Sequence, residues 1–385
     1  MKVYIECSGC EQRQLDTQRV VNFFQRNNIE IVQNPQDSTH SIYITCAVDS
    51  VSEEYSKKRV GELITKMGSP DKVIVGGCLP SISPDHISSS GIVETFSPRT
   101  LDNLEELLEG CLVIPFSEIG EFNESYFDIK NRGILQVDSM SPREQYDTAK
   151  KGFKIQVDYG CLLKCSYCMI RNATGKLKSK PLNDVLHEFQ KGIEQEEPTI
   201  MFVGGDTGAY GYDIDKNTRL HTVLENVLPR SKIQKIFIHD FNIGYFLRDY
   251  EGYMKVFELN SSTINRIGGI MFPVQSGSDK ILKLMRRPAK SREIIEKLSN
   301  LKNQHPSINI GTHIIVGFPD EEKEDFEQTV GLLEQIDFDF VTCFPYSEHM
   351  NAPSSSIVPK ISIGETHQRL EVLDNLFGDK IKIVK

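Results

Sequence analysis

The chain lacks any apolar run near the roughly 18 residues that a membrane-crossing helix requires, so no membrane partner is expected. Its opening residues, Met1 to Cys10 (MKVYIECSGC), carry too short an apolar stretch for a signal peptide, and a cytoplasmic protein is expected. A basic excess is also missing: the formal net charge is −10, which lowers the expectation of a large RNA partner without excluding a local basic groove. There is no internal repeat, no low-complexity segment and no G-x-x-x-x-G-K-[ST] phosphate loop. The nine histidines are scattered, with no metal-ligand spacing. Cysteine, by contrast, is well supplied, at nine in 385 residues. Disulfide scaffolds are short and secreted, and clustered cysteines in a chain like this point to metal or redox chemistry. Hydrophobic content of 39% and charged content of 25% fit a packed globular protein, with length for two or three domains.

Strand-like and helix-like segments alternate along the chain. Val3 to Glu6, Ile29 to Val32, Ser41 to Cys46, Lys72 to Cys78 and Cys111 to Phe116 are short apolar runs that predict strands. Helical patterns carry Leu15, Val20, Phe23 and Phe24, and recur over Val51 to Met67 and Thr100 to Leu108. This alternation predicts a parallel α/β sheet domain over residues 1–137. A polar stretch follows, with Asp138 to Asp147 as a linker, and a second domain is predicted over 138–385. Its strands are expected near Phe153 to Gly160, Thr199 to Val203, Lys235 to His239, Gly268 to Val274, Ile308 to Val316 and Phe338 to Phe344. Helical faces separate them, and Glu365 to Phe377 forms a last helix; such βα units predict a partial or full (β/α) barrel.

The densest cysteine group is Cys161, Cys165 and Cys168, spaced C-x-x-x-C-x-x-C in a loop after a strand. Structural zinc takes four ligands, usually in two separated pairs, and neither a fourth cysteine nor a histidine lies in this loop. A redox dithiol uses one C-x-x-C, and a ferredoxin run continues with more cysteines. A 4Fe–4S cluster held by three thiolates, with one iron left open, fits best. This loop resembles that of the radical S-adenosylmethionine (SAM) enzymes. There the open iron chelates the amino and carboxylate groups of SAM, and one electron cleaves the sulfonium to a 5′-deoxyadenosyl radical. The resemblance implies catalytic and metal-binding roles for Cys161, Cys165 and Cys168. Tyr167 stands where that family has an aromatic residue, and Val203 to Gly211 (VGGDTGAYG) resembles its stretch that contacts the SAM amine, which implies cofactor contacts by Gly204, Gly205 and Asp206.

Cys10, Cys46 and Cys78 each lie at or just past the end of a predicted strand. In a parallel sheet the carboxyl ends share one edge, so these thiols can converge; they can equally be three buried core residues, and periodicity leaves both readings open. Their surroundings, SGCEQRQLD, IYITCAVDSVSEE and VIVGGCLPSI, resemble the three cysteine segments of the radical SAM methylthiotransferases. So do Gly175 to Pro181, Phe272 to Pro288, His313 to Thr329 and Phe344 to Pro353, and the likeness covers nearly the whole chain. It implies a second 4Fe–4S cluster with Cys10, Cys46 and Cys78 as metal ligands. It also implies SAM contacts by Gln275, Ser276, Gly317 and Phe318, and an external electron donor such as flavodoxin or ferredoxin. Cys7, Cys111 and Cys343 are left as apolar core residues.

The reaction so implied replaces an unactivated C–H bond with C–SCH3. Two departures bear on the substrate. Arg13 stands where members commonly have asparagine three residues after the first cysteine, and the chain stops at Lys385 without the β-rich RNA-binding module, TRAM, that usually follows the barrel. With the acidic charge, these rank a peptide, protein side chain or small molecule ahead of tRNA. A tRNA adenosine methylthiotransferase lacking TRAM is the alternative, as is a radical SAM enzyme of another outcome, such as dehydrogenation, with an auxiliary relay cluster.

Overall fold

The computed structural model describes residues 1–108, 114–119, 136–137, 152–196, 199–230 and 235–384. Cys111 and the linker expected over Asp138 to Asp147 lie outside them. The chain divides into two compact units, Met1–Lys154 with Met169–Gly175, and Ile155–Cys168 with Lys176–Lys385.

The first unit is built on a parallel sheet of β1 (Lys2–Cys7), β2 (Glu30–Val32), β3 (His40–Thr45), β4 (Val73–Gly77) and β5 (Gln136–Val137). The order runs β2-β1-β3-β4, with β5 pairing the carboxyl end of β1. From Val3 to Cys7, and throughout β4, every residue is buried, as expected of strands covered on both faces. Helix α1 (Glu11–Arg26) follows β1 and packs Phe23 and Phe24 into a core with Ile5, Ile44, Ile74 and Phe96. Helix α2 (Ser50–Met67) starts where the Asp49 side chain accepts from Ser52 N at 2.7 Å, and stops at Gly68, whose φ of +76° is the left-handed cap glycine favours. Short helices α3 (Leu79–Ile82) and α4 (Pro84–Ser89) follow β4.

Two expectations here are corrected. The periodic stretch Thr100 to Leu108 is a run of 3-10 turns over Leu101–Leu108 rather than an α-helix. The end of the expected strand Cys111 to Phe116 is also not a strand. Ile114 N donates to Asn27 Oδ1 at 2.7 Å, and Asn27 Nδ2 donates to Ile114 O at 3.1 Å, so a side chain takes the backbone groups a ladder would use. Phe116 then begins a 3-10 turn and stacks on Phe23.

The second unit's sheet has seven strands in sequential order: β6 (Phe153–Gln156), β9 (Thr199–Val203), β10 (Lys235–Ile238), β11 (Ile267–Met271), β12 (Asn309–Val316), β13 (Phe340–Pro345) and β14 (Ile381–Ile383). All pairs from β9 to β14 are parallel. Parallel neighbours need crossovers, supplied here by helices such as Leu182–Glu194, Ser291–Gln304 and Lys323–Ile336. Among the described residues β6 and β14 do not pair with each other, so the sheet is open, the partial-barrel form of the expectation. A small antiparallel pair, β7 (Asp158–Tyr159) with β8 (Lys178–Ser179), flanks the cysteine loop. β14 and the helices Ile243–Arg248 and Tyr250–Leu259 were not read from the sequence.

Candidate active site

In the first unit, register brings the three expected cysteines to one edge. β3 pairs with β4 as far as Thr45↔Gly77, so Cys46 and Cys78 are the next residues on adjacent strands. Gly77 makes this possible: its φ is +89°, and a Cβ there would lie 2.5 Å from Thr45 O. Cys78 N donates to Thr45 O at 3.3 Å, and Thr45 Oγ1 accepts from Leu79 N at 3.1 Å, fixing the turn. β1 pairs with β3 as far as Cys7↔Ile44, and Cys10 follows as the N-cap of α1. Burial pushes the Cys78 thiol up to about 12, and Cys46 and Cys10, each near enough to repel a thiolate, push the same way. The side chain of Arg13 is buried beside them: its Nη1 donates to Cys78 Sγ at 3.8 Å, and its Nε lies 2.8 Å from Asp16 Oδ2.

In the second unit, β7 leads through Gly160 (φ +69°) into the loop of Cys161, Cys165 and Cys168. Leu163 N donates to Cys161 Sγ at 3.4 Å and Cys168 N to Cys165 O at 3.2 Å, so the loop folds back on itself. Ser166 N donates to Met285 O at 3.1 Å and Ser166 Oγ to Leu284 O at 2.8 Å, which ties the loop to the end of the helix Asp279–Leu284. Arg287, buried at the same place, donates from Nη1 to Cys165 Sγ at 3.8 Å and to the Tyr167 hydroxyl at 3.3 Å, and from Nη2 to Pro273 O. Tyr167 meets Phe318 edge to face, and Phe318 is fully buried against Ile281 and Met285.

Gly204 and Gly205 let the next strand's end press onto the loop: a Cβ on Gly204 would lie 2.5 Å from Asp158 Oδ2, and one on Gly205 1.8 Å from Gly160 O. Asp158 Oδ1 accepts from Gly205 N at 2.7 Å and from Asp206 N at 3.3 Å, and burial pushes its carboxyl up to about 7. Asp206 is buried too, with Oδ1 accepting from Asn242 N at 3.2 Å and Oδ2 lying 4.0 Å from Cys161 Sγ. Burial, then the neighbouring Asp158, raises its pKa well above the carboxylate range. Gln275 has φ +79°, a costly conformation for a non-glycine residue, and its buried Oε1 has no hydrogen-bond partner among the described residues. Ser276 is tied inward, its Oγ 3.3 Å from Thr329 Oγ1. Gly317, at φ +78°, donates to Glu321 Oε2 at 2.7 Å and leaves room for Thr366. Sequence reasoning missed Asp158, Arg287 and Asp16. Arg287 and Asp16 sit inside segments already singled out, yet residue type alone does not mark a charge as buried.

The donor chemistry fits iron–sulfur clusters. Each set offers three sulfurs, and all the described cysteines are free of disulfides. Burial also raises the Cys161 thiol, with Asp206 pushing the same way; deprotonating such a set is favoured only when a bound metal compensates.

Comparison with known proteins agrees with this geometry. Residues 155–333 match the family described as the Radical SAM superfamily, and residues 2–96 match Uncharacterized protein family UPF0004. A probable threonylcarbamoyladenosine tRNA methylthiotransferase of Pyrococcus abyssi is 30% identical over 90% of this chain and 77% of its own. A tRNA-2-methylthio-N(6)-dimethylallyladenosine synthase of Pseudothermotoga lettingae is 26% identical over 92% of this chain and 78% of its own. The radical S-adenosylmethionine methyltransferase TsrM of Kitasatospora setae, solved with cobalamin and a 4Fe–4S cluster, shares the fold at a TM-score of 0.62 and 14% identity, over 92% of this chain and 77% of that one. The chain belongs to the radical SAM methylthiotransferase family. It is thus an enzyme of methylthio transfer, in a family that works with SAM and two 4Fe–4S clusters. Among the described residues no helix is long and apolar enough to cross a membrane.

Proposed function

We propose that Cys161, Cys165 and Cys168 hold the cluster that binds SAM, and that Cys10, Cys46 and Cys78 hold the auxiliary cluster. The observation that carries this is the convergence of Cys10, Cys46 and Cys78 at the carboxyl edge of a parallel sheet, in a chain that also carries the three-cysteine loop. When bound, these groups supply a 5′-deoxyadenosyl radical from SAM and a methylthio group for the substrate carbon. The chain's own residues do the rest. Asp206, a buried carboxylate beside Cys161, accepts the SAM ammonium, whose charge offsets the burial that holds its pKa up. Gln275 offers its unpartnered Oε1 to a donor on the same ligand. Gly204, Gly205 and Gly317 give the close turns around the SAM site, Tyr167 and Phe318 meet edge to face beside the cysteine loop, and Ser276 is held inward by Thr329 next to Gln275 in the chain. A one-electron donor such as flavodoxin or ferredoxin supplies the electron, in the cytoplasm.

For the substrate, tRNA adenosine comes first. Both curated relatives above act on tRNA by name, and each aligns with nine-tenths or more of this chain. This departs from the expectation that ranked a peptide, protein side chain or small molecule first, which rested in part on the acidic charge. A peptide, protein side chain or small molecule is the second reading, favoured by the net charge of −10.

Anaerobic reconstitution tests the ligand assignment. Iron analysis and spectroscopy should give two cubanes, about eight irons per chain. The Cys10→Ala/Cys46→Ala/Cys78→Ala protein should lose one cluster yet still cleave SAM, and a wild-type protein that takes only one cluster refutes the reading. Nucleoside mass spectrometry after reaction with tRNA that carries threonylcarbamoyl- or N6-dimethylallyladenosine but no methylthio group should show CH3S in place of one hydrogen on that adenosine; unchanged nucleosides in both tRNAs move the choice to the second reading.

A further inference from the structure

One buried cation in the first unit has no part in the scheme above. Arg13 lies one turn into α1, three residues past Cys10, and its side chain is only 2% exposed. It is held from three sides. Gly9 leaves the space its stem fills, since a Cβ on Gly9 would fall 2.1 Å from Arg13 Cβ. Thr17 Oγ1 donates to Arg13 O at 2.6 Å, and the Asp16 carboxylate, itself 2% exposed, pairs with Nε at 2.8 Å. The remaining edge of the guanidinium points at sulfur, with Nη1 donating to Cys78 Sγ at 3.8 Å. Cys10 is near enough to act on its charge as well. A guanidinium keeps its charge at any working pH, and burial keeps water from screening it. Asp16 supplies one counter-charge, and the guanidinium edge turned to Cys78 is matched best when that sulfur is a thiolate.

We propose that Arg13 is a positioning residue for the auxiliary cluster, a fixed cation that raises its reduction potential by donating to the Cys78 thiolate, with Asp16 as the counter-charge that limits the rise. The proposal rests on the ligand assignment of Cys10, Cys46 and Cys78. A positive charge and N–H···S hydrogen bonds favour the oxidation level that carries the extra electron, and such contacts around the sulfurs are a principal control on cluster potential. The same logic gives the two halves of the ion pair opposite signs. Loss of the cation lowers the midpoint; loss of the carboxylate leaves the cation uncompensated and raises it.

The test uses full-length protein carrying Cys161→Ala, Cys165→Ala and Cys168→Ala, so that a single cluster is titrated. Its midpoint is followed by electron paramagnetic resonance during stepwise reduction, with no turnover involved. Arg13→Gln should shift the midpoint down, Arg13→Lys should keep it nearer the parent, and Asp16→Asn should shift it up. Should Arg13→Gln fail to load iron, the Arg13→Gln/Asp16→Asn protein is titrated against Asp16→Asn instead, and a lower midpoint in the double variant is the expected result, an equal one overturning the role of Arg13. Midpoints unchanged in loaded variants, or shifts of one sign for Arg13→Gln and Asp16→Asn, overturn the role of Arg13 and leave the ligand assignment standing. A parent protein that binds no cluster overturns both.

Discussion

Gly205→Ala tests whether the second site depends on the close approach described above. An ideal Cβ at this position lies 1.8 Å from Gly160 O and 3.1 Å from Gly160 N. Both atoms are backbone, so no side chain can swing aside, and a normal contact is restored only by moving one segment by more than an ångström. Gly160 already has φ +69° and immediately precedes Cys161, so the movement passes directly into the first thiol of the loop. Overpacking of this kind costs about 1–3 kcal/mol. In a unit of this size each kcal/mol lowers the melting temperature by roughly 2–4 °C, for a fall on the order of 2–12 °C. The variant is made in a Cys10→Ala/Cys46→Ala/Cys78→Ala background, so that bound iron reports on the Cys161 loop alone, and both iron content and melting temperature should drop. Gly61→Ala in α2 is the control: its Cβ meets nothing within 4 Å, and a mid-helix glycine replaced by alanine should gain roughly 0.5–1 kcal/mol. A Gly205→Ala protein with parental iron content and melting temperature would refute the packing argument.

Gln275→Gly should move two measurements in opposite directions. Removing the left-handed strain stabilises the fold by about 1 kcal/mol in urea denaturation, while losing the amide oxygen weakens SAM binding, about tenfold by equilibrium dialysis; unchanged SAM affinity would remove Gln275 from the site. Asp158 predicts a pH dependence. Its folded pKa is pushed up from 3.8 to about 7, so between those values the native state holds a proton that the unfolded chain has released. Its contribution to stability therefore declines as pH rises through that window, and Asp158→Asn should flatten the curve of urea midpoint against pH in cluster-free protein. Parallel curves for the two proteins would show that the carboxyl titrates normally.

The strands that matter most were legible because they are short, wholly apolar and bounded by turn residues, as in Val73 to Gly77, buried along its whole length. The cysteine loop was legible because spacing is a local property. What failed was non-local. Thr100 to Leu108 has helical periodicity, but the structure closes it as 3-10 turns. β14 alternates Ile381, Lys382 and Ile383, too short a run to stand out before it pairs with β13. Nothing in the sequence marks Arg13, Asp16, Asp158 and Arg287 as buried, and only the fold shows Arg13 and Arg287 facing a sulfur, Asp158 accepting from backbone amides and Asp16 pairing with Arg13. The left-handed turn at Gln275 has no signature in residue type, since glutamine rarely adopts it.

The sequential strand order also sets a timetable for synthesis. Each of β10 to β14 pairs with the strand made just before it, so the second sheet can grow in the order in which it leaves the ribosome, through short-range pairings that favour quick folding. The three thiols after β6 emerge early, but the groups that hold them come late: Asp206 after β9, Asn242 after β10, and Pro273 and Arg287 after β11. For more than a hundred residues of translation the loop has its sulfurs without its clamps. Iron delivered in that interval would meet unrestrained cysteines, so productive loading belongs to a chain that has already closed around Arg287.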